Sequence, residues 1–125
     1  MSGPVVDPAQ ARATWPLVVE YVEATYATRS EYSPAAVAAV VTDMHARHEF
    51  GMRHYGVPLA VGVKPDNLAE AYAEALDLAV YLYTDAEAHQ ADTIDRYVVM
   101  SLFERTVTLV LDIRVAMLHR KGVDR

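Results

Sequence analysis

Apolar residues recur along the chain at intervals of three and four positions, a spacing that predicts α-helices. The first helix is predicted over residues 8–28 or 14–28. A second helix is predicted to begin with Ser33 as its N-cap and Pro34 in its first turn, where both residue types are favourable. It is predicted to end at Gly56, because glycine commonly closes a helix.

Residues 56–65, which are rich in glycine and proline, predict a mobile loop after the second helix. The third helix is predicted to start at Asp66 or Asn67. A break at residues 89–92 then precedes a last helix that runs to Arg120. Since no strand-like alternation is present, the pattern predicts four helices in an all-α fold.

The apolar positions also predict which helix faces are buried. The predicted stripe of the second helix is Val37, Val40, Val41, Met44, His48, Met52 and Tyr55. That of the third helix is Leu68, Tyr72, Ala75, Leu76, Ala79 and Leu82. The last helix is apolar around much of its circumference, at Val98, Leu102, Leu109, Val110, Ile113 and Met117. Such a helix needs cover on more than one side, which predicts a central place in a four-helix bundle or the core of a dimer or higher homo-oligomer.

The length of 125 residues fits one domain, 1–125, with residues 1–10 as a flexible arm. The net charge of −6 argues against a surface that binds a nucleic acid polymer, because such surfaces cluster lysine and arginine. Charged residues interrupt every long apolar stretch, which argues against a membrane span. The first residues lack the pattern of a signal peptide, so we expect a cytoplasmic protein. The absence of cysteine excludes disulfides and thiolate nucleophiles.

An acidic stripe on the third helix is the strongest functional signal in the sequence. Glu70, Glu74 and Asp77 are spaced i, i+4, i+7, which places three carboxylates within a narrow arc. Residues 65–95 contain eight acidic residues and neither lysine nor arginine. Their charge is expected to be neutralised from outside the helix, by a hard divalent cation such as Mg²⁺ or Mn²⁺ or by basic side chains of another helix. A solvated acidic face is the simpler alternative.

The second helix has the opposite charge and offers groups that could bind a nucleotide. Arg47, His48, Arg53 and Tyr55 lie along its second half, and Lys64 follows in the loop. Antiparallel packing of the second and third helices would form a cleft in which these residues contact phosphate, base or sugar. Two alternatives remain open: a network of salt bridges between the helices, and a hydrogen-bonded core role for His48.

The motif Glu74-Ala-Leu-Asp77 has the form ExxD and lies on the third helix of a small acidic chain. Around it, the run from Asp43 to Tyr83 contains DMHARHEFGMRHYGVPL followed by NLAEAYAEALDLAVYL. This run covers about a third of the chain. It resembles the MazG-like, all-α nucleotide pyrophosphohydrolases, and in particular short phage and prophage proteins in or near that superfamily.

The resemblance implies a MazG-like four-helix bundle, assembled as dimers or dimers of dimers, that hydrolyses a nucleoside triphosphate to a monophosphate and pyrophosphate. It implies Mg²⁺ as the cofactor, with Glu74 and Asp77 matching the ExxD and Glu70 extending it by one turn. Either Glu70 or Glu74 is the implied catalytic base.

The chain departs from the family in the preceding helix, where the family has an EExxE motif. Only Glu49 can serve there directly as a metal ligand, beside Asp43, His45 and His48. The implied enzyme therefore has a modified first metal motif. The alternative is a non-catalytic helical oligomer that binds a nucleotide or a protein partner.

Overall fold

The computed structural model describes residues 11–62 and 66–122. They form four helices: α1 (Thr14–Tyr26), α2 (Pro34–Tyr55), α3 (Asn67–Ala88) and α4 (Thr93–Arg120). Within the described ranges there is no β-strand, only an isolated antiparallel bridge between Ala13 and Ala60. The predicted all-α class with four helices is therefore confirmed. Residues 1–10, predicted to be an arm, and Lys64 lie outside the described residues.

Both ends of α2 follow from local hydrogen bonds. The Ser33 hydroxyl accepts a hydrogen bond from the backbone N–H of Ala36 at 3.4 Å, as an N-cap does. At the other end Gly56 adopts a left-handed conformation, with φ of 76°, and its N–H donates to the carbonyl of Met52 at 2.9 Å. Both boundaries are those predicted from the sequence.

Carboxylates cap the next two helices. The side chain of Asp66 accepts from the N–H of Ala69 at 3.1 Å, and that of Asp92 accepts from the N–H of Asp95 at 2.9 Å. A carboxylate is favourable at these places because the first N–H groups of a helix lack intrahelical partners and carry a partial positive charge.

The start of α1 is held by backbone hydrogen bonds to residues distant in sequence, and no side chain caps it. The N–H of Thr14 donates to the carbonyl of Leu59 at 2.8 Å, and the N–H of Val61 donates to the carbonyl of Arg12 at 2.9 Å. These two bonds flank the Ala13 bridge and fix the later of the two predicted starts. The helix ends two residues before the predicted position.

The chain divides into two compact units, one with α1 and α2 and the other with α3 and α4. Each unit is an antiparallel helical hairpin, which we call the N-terminal and the C-terminal hairpin. The single domain and the single four-helix bundle expected from the sequence stay predictions.

In the N-terminal hairpin α1 has 13 residues and α2 has 22, so α1 covers only part of its partner. Val37, Val41, Met44 and His48 are partly buried, whereas Val40 and the end of the predicted stripe are exposed. Met52 and Tyr55 are exposed, Tyr55 at 72%. The burial predicted for Val40, Met52 and Tyr55 was wrong, because the apolar spacing of α2 does not show how much of it α1 covers.

In the C-terminal hairpin the inward positions alternate by three and four residues, as in a coiled coil. On α3 they are Leu68, Tyr72, Ala75, Ala79, Leu82 and Ala86, and on α4 they are Arg96, Val99, Phe103, Thr106, Val110, Ile113 and Met117. The most buried of these are small: Ala75, Ala79, Ala86 and Thr106. Small side chains at the contact let two helix backbones lie close together. Leu76, which was predicted to be buried, lies on the flank and is exposed.

Within the C-terminal hairpin, α4 packs on α3 along one side. Val110, Ile113 and Met117 face α3, whereas Val98, Leu102 and Leu109 are exposed. Among the described residues, no helix combines the length and the apolar character needed to cross a bilayer.

Candidate metal and nucleotide site

The structure assigns roles to several of the acidic residues that the sequence left unneutralised. Asp66 and Asp92 cap helices. Glu87 accepts a hydrogen bond from Nη2 of Arg96 on α4 at 2.9 Å and another from Gln90. These interactions are local, and the acids that make them are accounted for without a metal ion.

Glu70, Glu74 and Asp77 are different. They lie on the face of α3 opposite the buried residues Ala75, Ala79 and Ala86, and all three are exposed. None of them forms an ion pair or a cap with any residue in the described ranges. Among the acidic residues of α3, the three chosen from spacing are thus the ones without such an interaction. We call these three residues the acidic stripe.

A second acidic group lies at the turn between α3 and α4. Ligand atoms of Asp85, His89 and Asp95 all come within 4.8 Å of one another, and the three residues are exposed. Nδ1 of His89 lies 2.8 Å from the backbone carbonyl oxygen of Asp85 and 3.5 Å from Oδ1 of the same residue. We call this group the turn cluster.

The hydrogen bond to the Asp85 carbonyl, and then the charge of the Asp85 carboxylate, raise the pKa of His89 above its usual 6.5. Asp95 and Asp92 add to this shift, and desolvation opposes it. This cluster was not predicted from the sequence. The i, i+4 spacing of Asp85 and His89 was a visible signal, but Asp95 joins them only because the chain turns between the helices.

The two acidic groups differ in how they fit a metal ion. In the described residues the turn cluster is the only set of three or more potential ligands that converges in this way. The acidic stripe offers carboxylate oxygens alone, which is the donor chemistry that Mg²⁺ prefers, whereas the turn cluster includes an imidazole. The carboxylates of the stripe do not converge to the same distance, so their grouping around one ion stays a prediction.

The predicted nucleotide-binding residues of α2 lie along its second half. Arg47, Glu49, Arg53 and Tyr55 are exposed, and His48 is partly buried. The Nδ1 atom of His48 is buried and has no hydrogen-bond partner within the described part of the chain. The hydrogen-bonded core role considered for His48 is therefore not seen at this atom. A cleft shared by α2 and α3 would join residues of two units and stays a prediction.

The same stretch of α2 carries an aromatic cluster that was not predicted from the sequence. The rings of Phe50 and His54 stack at 5.4 Å with an angle of 10° between their planes, and Tyr55 meets His54 edge-on at 4.7 Å. The guanidinium of Arg47 lies 5.2 Å from the centre of the Phe50 ring. Aromatic and guanidinium faces of this kind are suited to stacking on a nucleobase.

An apolar cavity of about 300 Å³ lies at the other end of the N-terminal hairpin. Its lining consists of Val22, Tyr26, Tyr32, Ala36, Val37 and Val40. Tyr26 and Tyr32 meet edge-to-face at 5.4 Å, and Arg29 lies 5.3 Å from the centre of the Tyr26 ring. The lining contains no carboxylate, so this cavity is unsuited to a metal-bound phosphate.

Comparison with known proteins yields no match: no family model, no curated protein and no solved structure is detectably similar to this chain.

Proposed function

We propose that this protein is a Mg²⁺-dependent nucleoside triphosphate pyrophosphohydrolase whose metal ligands lie on the acidic stripe of α3. One observation carries the proposal. Among the acidic residues of α3, Glu70, Glu74 and Asp77 share one exposed face and have no ion pair within the described residues. Three uncompensated carboxylates repel one another, and a bound divalent cation would remove that repulsion.

The resemblance to MazG-like pyrophosphohydrolases in the ExxD run supports the same proposal and supplies its reaction. In this reading Glu74, Asp77 and Glu70 hold Mg²⁺ or Mn²⁺, and Glu70 or Glu74 accepts the proton of the attacking water. Glu49 is kept in the metal-binding set from the sequence alone. When bound, the ion would neutralise the charge of the phosphates during hydrolysis. The products are a nucleoside monophosphate and pyrophosphate.

The basic residues of α2 complete the proposal on the substrate side. Arg47 and Arg53 are exposed, and a guanidinium binds phosphate oxygens through paired hydrogen bonds. Tyr55 and His48 are proposed to contact the base or sugar. Lys64 is kept in the substrate-binding set from the sequence alone. A four-helix, MazG-like bundle, a homo-oligomeric state and a cytoplasmic location belong to this proposal.

The experiment is an assay of the purified chain with ribo- and deoxyribonucleoside triphosphates in Mg²⁺ or Mn²⁺, following pyrophosphate and monophosphate together. We expect equal amounts of both products from the parent. Asp77→Asn and Glu74→Gln should each lower the rate by on the order of 100-fold or more, because each removes a proposed ligand or base.

Asp85→Asn is the matched control, since Asp85 is also an exposed aspartate of α3 but belongs to the turn cluster. It should retain the parent rate. If Asp85→Asn lost activity while Asp77→Asn kept it, the reaction would stand and the site would move to the turn cluster. A parent chain that releases no pyrophosphate from any nucleotide would rule out the enzyme.

A second candidate function, a non-catalytic helical oligomer that binds a nucleotide or a protein partner, is favoured by a separate observation. No large side chain in the described ranges is fully buried, and many large apolar side chains are exposed. Such surfaces are typical of proteins that associate. Added Mg²⁺ distinguishes the candidates: it should raise the melting temperature of the enzyme by mass action and leave that of the non-catalytic oligomer unchanged.

A further inference from the structure

One flank of α4, beside the face that packs on α3, carries a stripe of mostly apolar residues. At 100° per residue, the positions in one arc of about 80° are Ile94, Val98, Leu102, Arg105, Leu109, Asp112, Ala116 and Arg120. We call this set the outer stripe. Its large apolar members are open: Ile94 is 78% exposed, Val98 52%, Leu102 39% and Leu109 49%. Exposed apolar side chains that form one stripe along a helix are typical of a surface that packs against another helix.

Two of the three charged residues of the outer stripe, Arg105 and Asp112, have opposite signs and lie seven residues apart, which puts them on the same line of the helix surface. The third, Arg120, is the last residue of α4. Neither Arg105 nor Asp112 forms an ion pair with any other residue in ranges 11–62 and 66–122. The neighbouring arginines of α4 are engaged inside the C-terminal hairpin. Arg96 bonds to Glu87, and Arg114 lies 5.8 Å from the centre of the Tyr72 ring. Arg105 and Asp112 are therefore left as a complementary pair without a partner in the hairpin.

We propose that the outer stripe is the contact surface for a second copy of this chain, packed antiparallel about a two-fold axis. Such an axis, passing near residue 108, places Arg105 within about a helical turn of the partner's Asp112, and Asp112 equally near the partner's Arg105. Two ion pairs then form near the middle of the contact. Parallel packing would instead set each charge against its own copy, which is unfavourable.

The position of this axis also suits the length of the helix. Residue 108 is close to the middle of Thr93–Arg120, so two copies of this 28-residue helix would overlap along most of its length of about 42 Å. Val98, Leu102 and Leu109 would all lie in the contact. A partner of unrelated sequence would need a complementary pair of charges at the same spacing, whereas a second copy supplies it by symmetry.

The test is the mass of the purified chain in solution, measured by sedimentation equilibrium over a range of concentrations. We expect a dimer, twice the chain mass of 13.8 kDa. Arg105→Asp and Asp112→Arg should each raise the dissociation constant on the order of tenfold or more, because each sets like charges opposite one another. Glu104→Arg is the matched control: it reverses an exposed charge on α4 outside the outer stripe and should dimerise as the parent does.

Mixing the two weakened variants distinguishes contact from damage. Near the middle of the stripe an Arg105→Asp chain carries two acids and an Asp112→Arg chain carries two bases, so a mixture should form a heterodimer more tightly than either variant dimerises alone. A parent that keeps the monomer mass at every concentration would overturn the proposal. A parent dimer whose affinity neither reversal changes would overturn it as well, because the contact would then lie elsewhere. The outcome is independent of the proposed enzyme, since no nucleotide or metal is present.

Discussion

Glu87 on α3 and Arg96 on α4 form the ion pair that joins the two helices beside their connecting turn, with Nη2 of Arg96 2.9 Å from Oε1 of Glu87. Their side chains are 33% and 39% exposed, so water reaches both groups. The Nε atom of the same guanidinium is buried and has no hydrogen-bond partner among the described residues. The arginine is thus held at this place by one carboxylate, and its position depends on that contact.

Replacing Glu87 with alanine should lower the free energy of unfolding by about 1 kcal/mol, since it removes a charged hydrogen bond that solvent only partly screens. Glu104→Ala is the control, because Glu104 is an exposed glutamate of α4 with no ion pair in the described ranges. Urea denaturation of both variants measures the difference. Equal losses from the two substitutions would show that the Glu87 pair contributes nothing.

The turn cluster predicts a pH dependence of stability. The pKa of His89 is raised in the folded protein, mainly by its hydrogen bond to the Asp85 carbonyl and by the Asp85 carboxylate. The protonated imidazole therefore favours folding. This contribution is complete below the unfolded pKa of 6.5 and is lost as the pH rises through the folded pKa.

The measurement compares the parent with His89→Gln by urea denaturation at a series of pH values. The parent should gain stability relative to the variant as the pH falls from about 8 to about 6. An NMR titration of the imidazole should give a pKa above 6.5. A difference that does not change with pH, or a pKa at or below that value, would contradict the assignment.

The alanine contact between α3 and α4 predicts strong sensitivity to added volume. Ala86 is 0% exposed, so Ala86→Leu should lower the free energy of unfolding by about 1–3 kcal/mol through overpacking. Ala73→Leu makes the same chemical change on an exposed position of the same helix and should have little effect. Thermal or urea denaturation of the two variants provides the comparison. A leucine tolerated equally at both positions would mean that the helices are not in close contact at Ala86.

Replacing Gly51 inside α2 and Gly56 at its C-terminal end with alanine should change the free energy of unfolding in opposite directions. Gly51 lies inside the helix, and a Cβ there would meet nothing within 4 Å, so Gly51→Ala should raise the free energy of unfolding by about 0.5–1 kcal/mol. Gly56 closes the helix with φ of 76°, so Gly56→Ala should lower it by about 1 kcal/mol. Each variant controls for the other. The same sign from both would contradict the assigned end of α2.

The sequence predicted helix boundaries well where the signal is local. Ser33, Pro34 and Gly56 set the ends of α2 through their own side chains and backbone preferences, without help from the rest of the fold. The sequence predicted the burial of individual side chains less well. Whether Met52 or Leu76 is covered depends on the length and position of the neighbouring helix, which the apolar pattern of a single helix does not contain.

In the candidate site, too, one part follows from local spacing and another depends on the fold. The acidic stripe could be read from spacing, because i, i+4, i+7 fixes the face on which Glu70, Glu74 and Asp77 lie. The turn cluster could not, because Asp95 reaches His89 only through the geometry of the turn. The aromatic stacking of Phe50 and His54 follows from their i, i+4 spacing and was available in the sequence.

The hydrogen bonds beside Ala13 and Ala60 also bear on the order in which the two hairpins fold. The C-terminal hairpin can form progressively from its turn, since contacts such as Glu87 with Arg96 join residues only nine positions apart. The N-terminal hairpin is complete only when Thr14 bonds to Leu59 and Val61 bonds to Arg12. These hydrogen bonds form at the cost of the conformational entropy of the long segment between them. Long-range closure of this kind slows folding. In pulse-labelling hydrogen exchange, the amides of Thr14 and Val61 should accordingly gain protection later than those in the middle of α3 and α4.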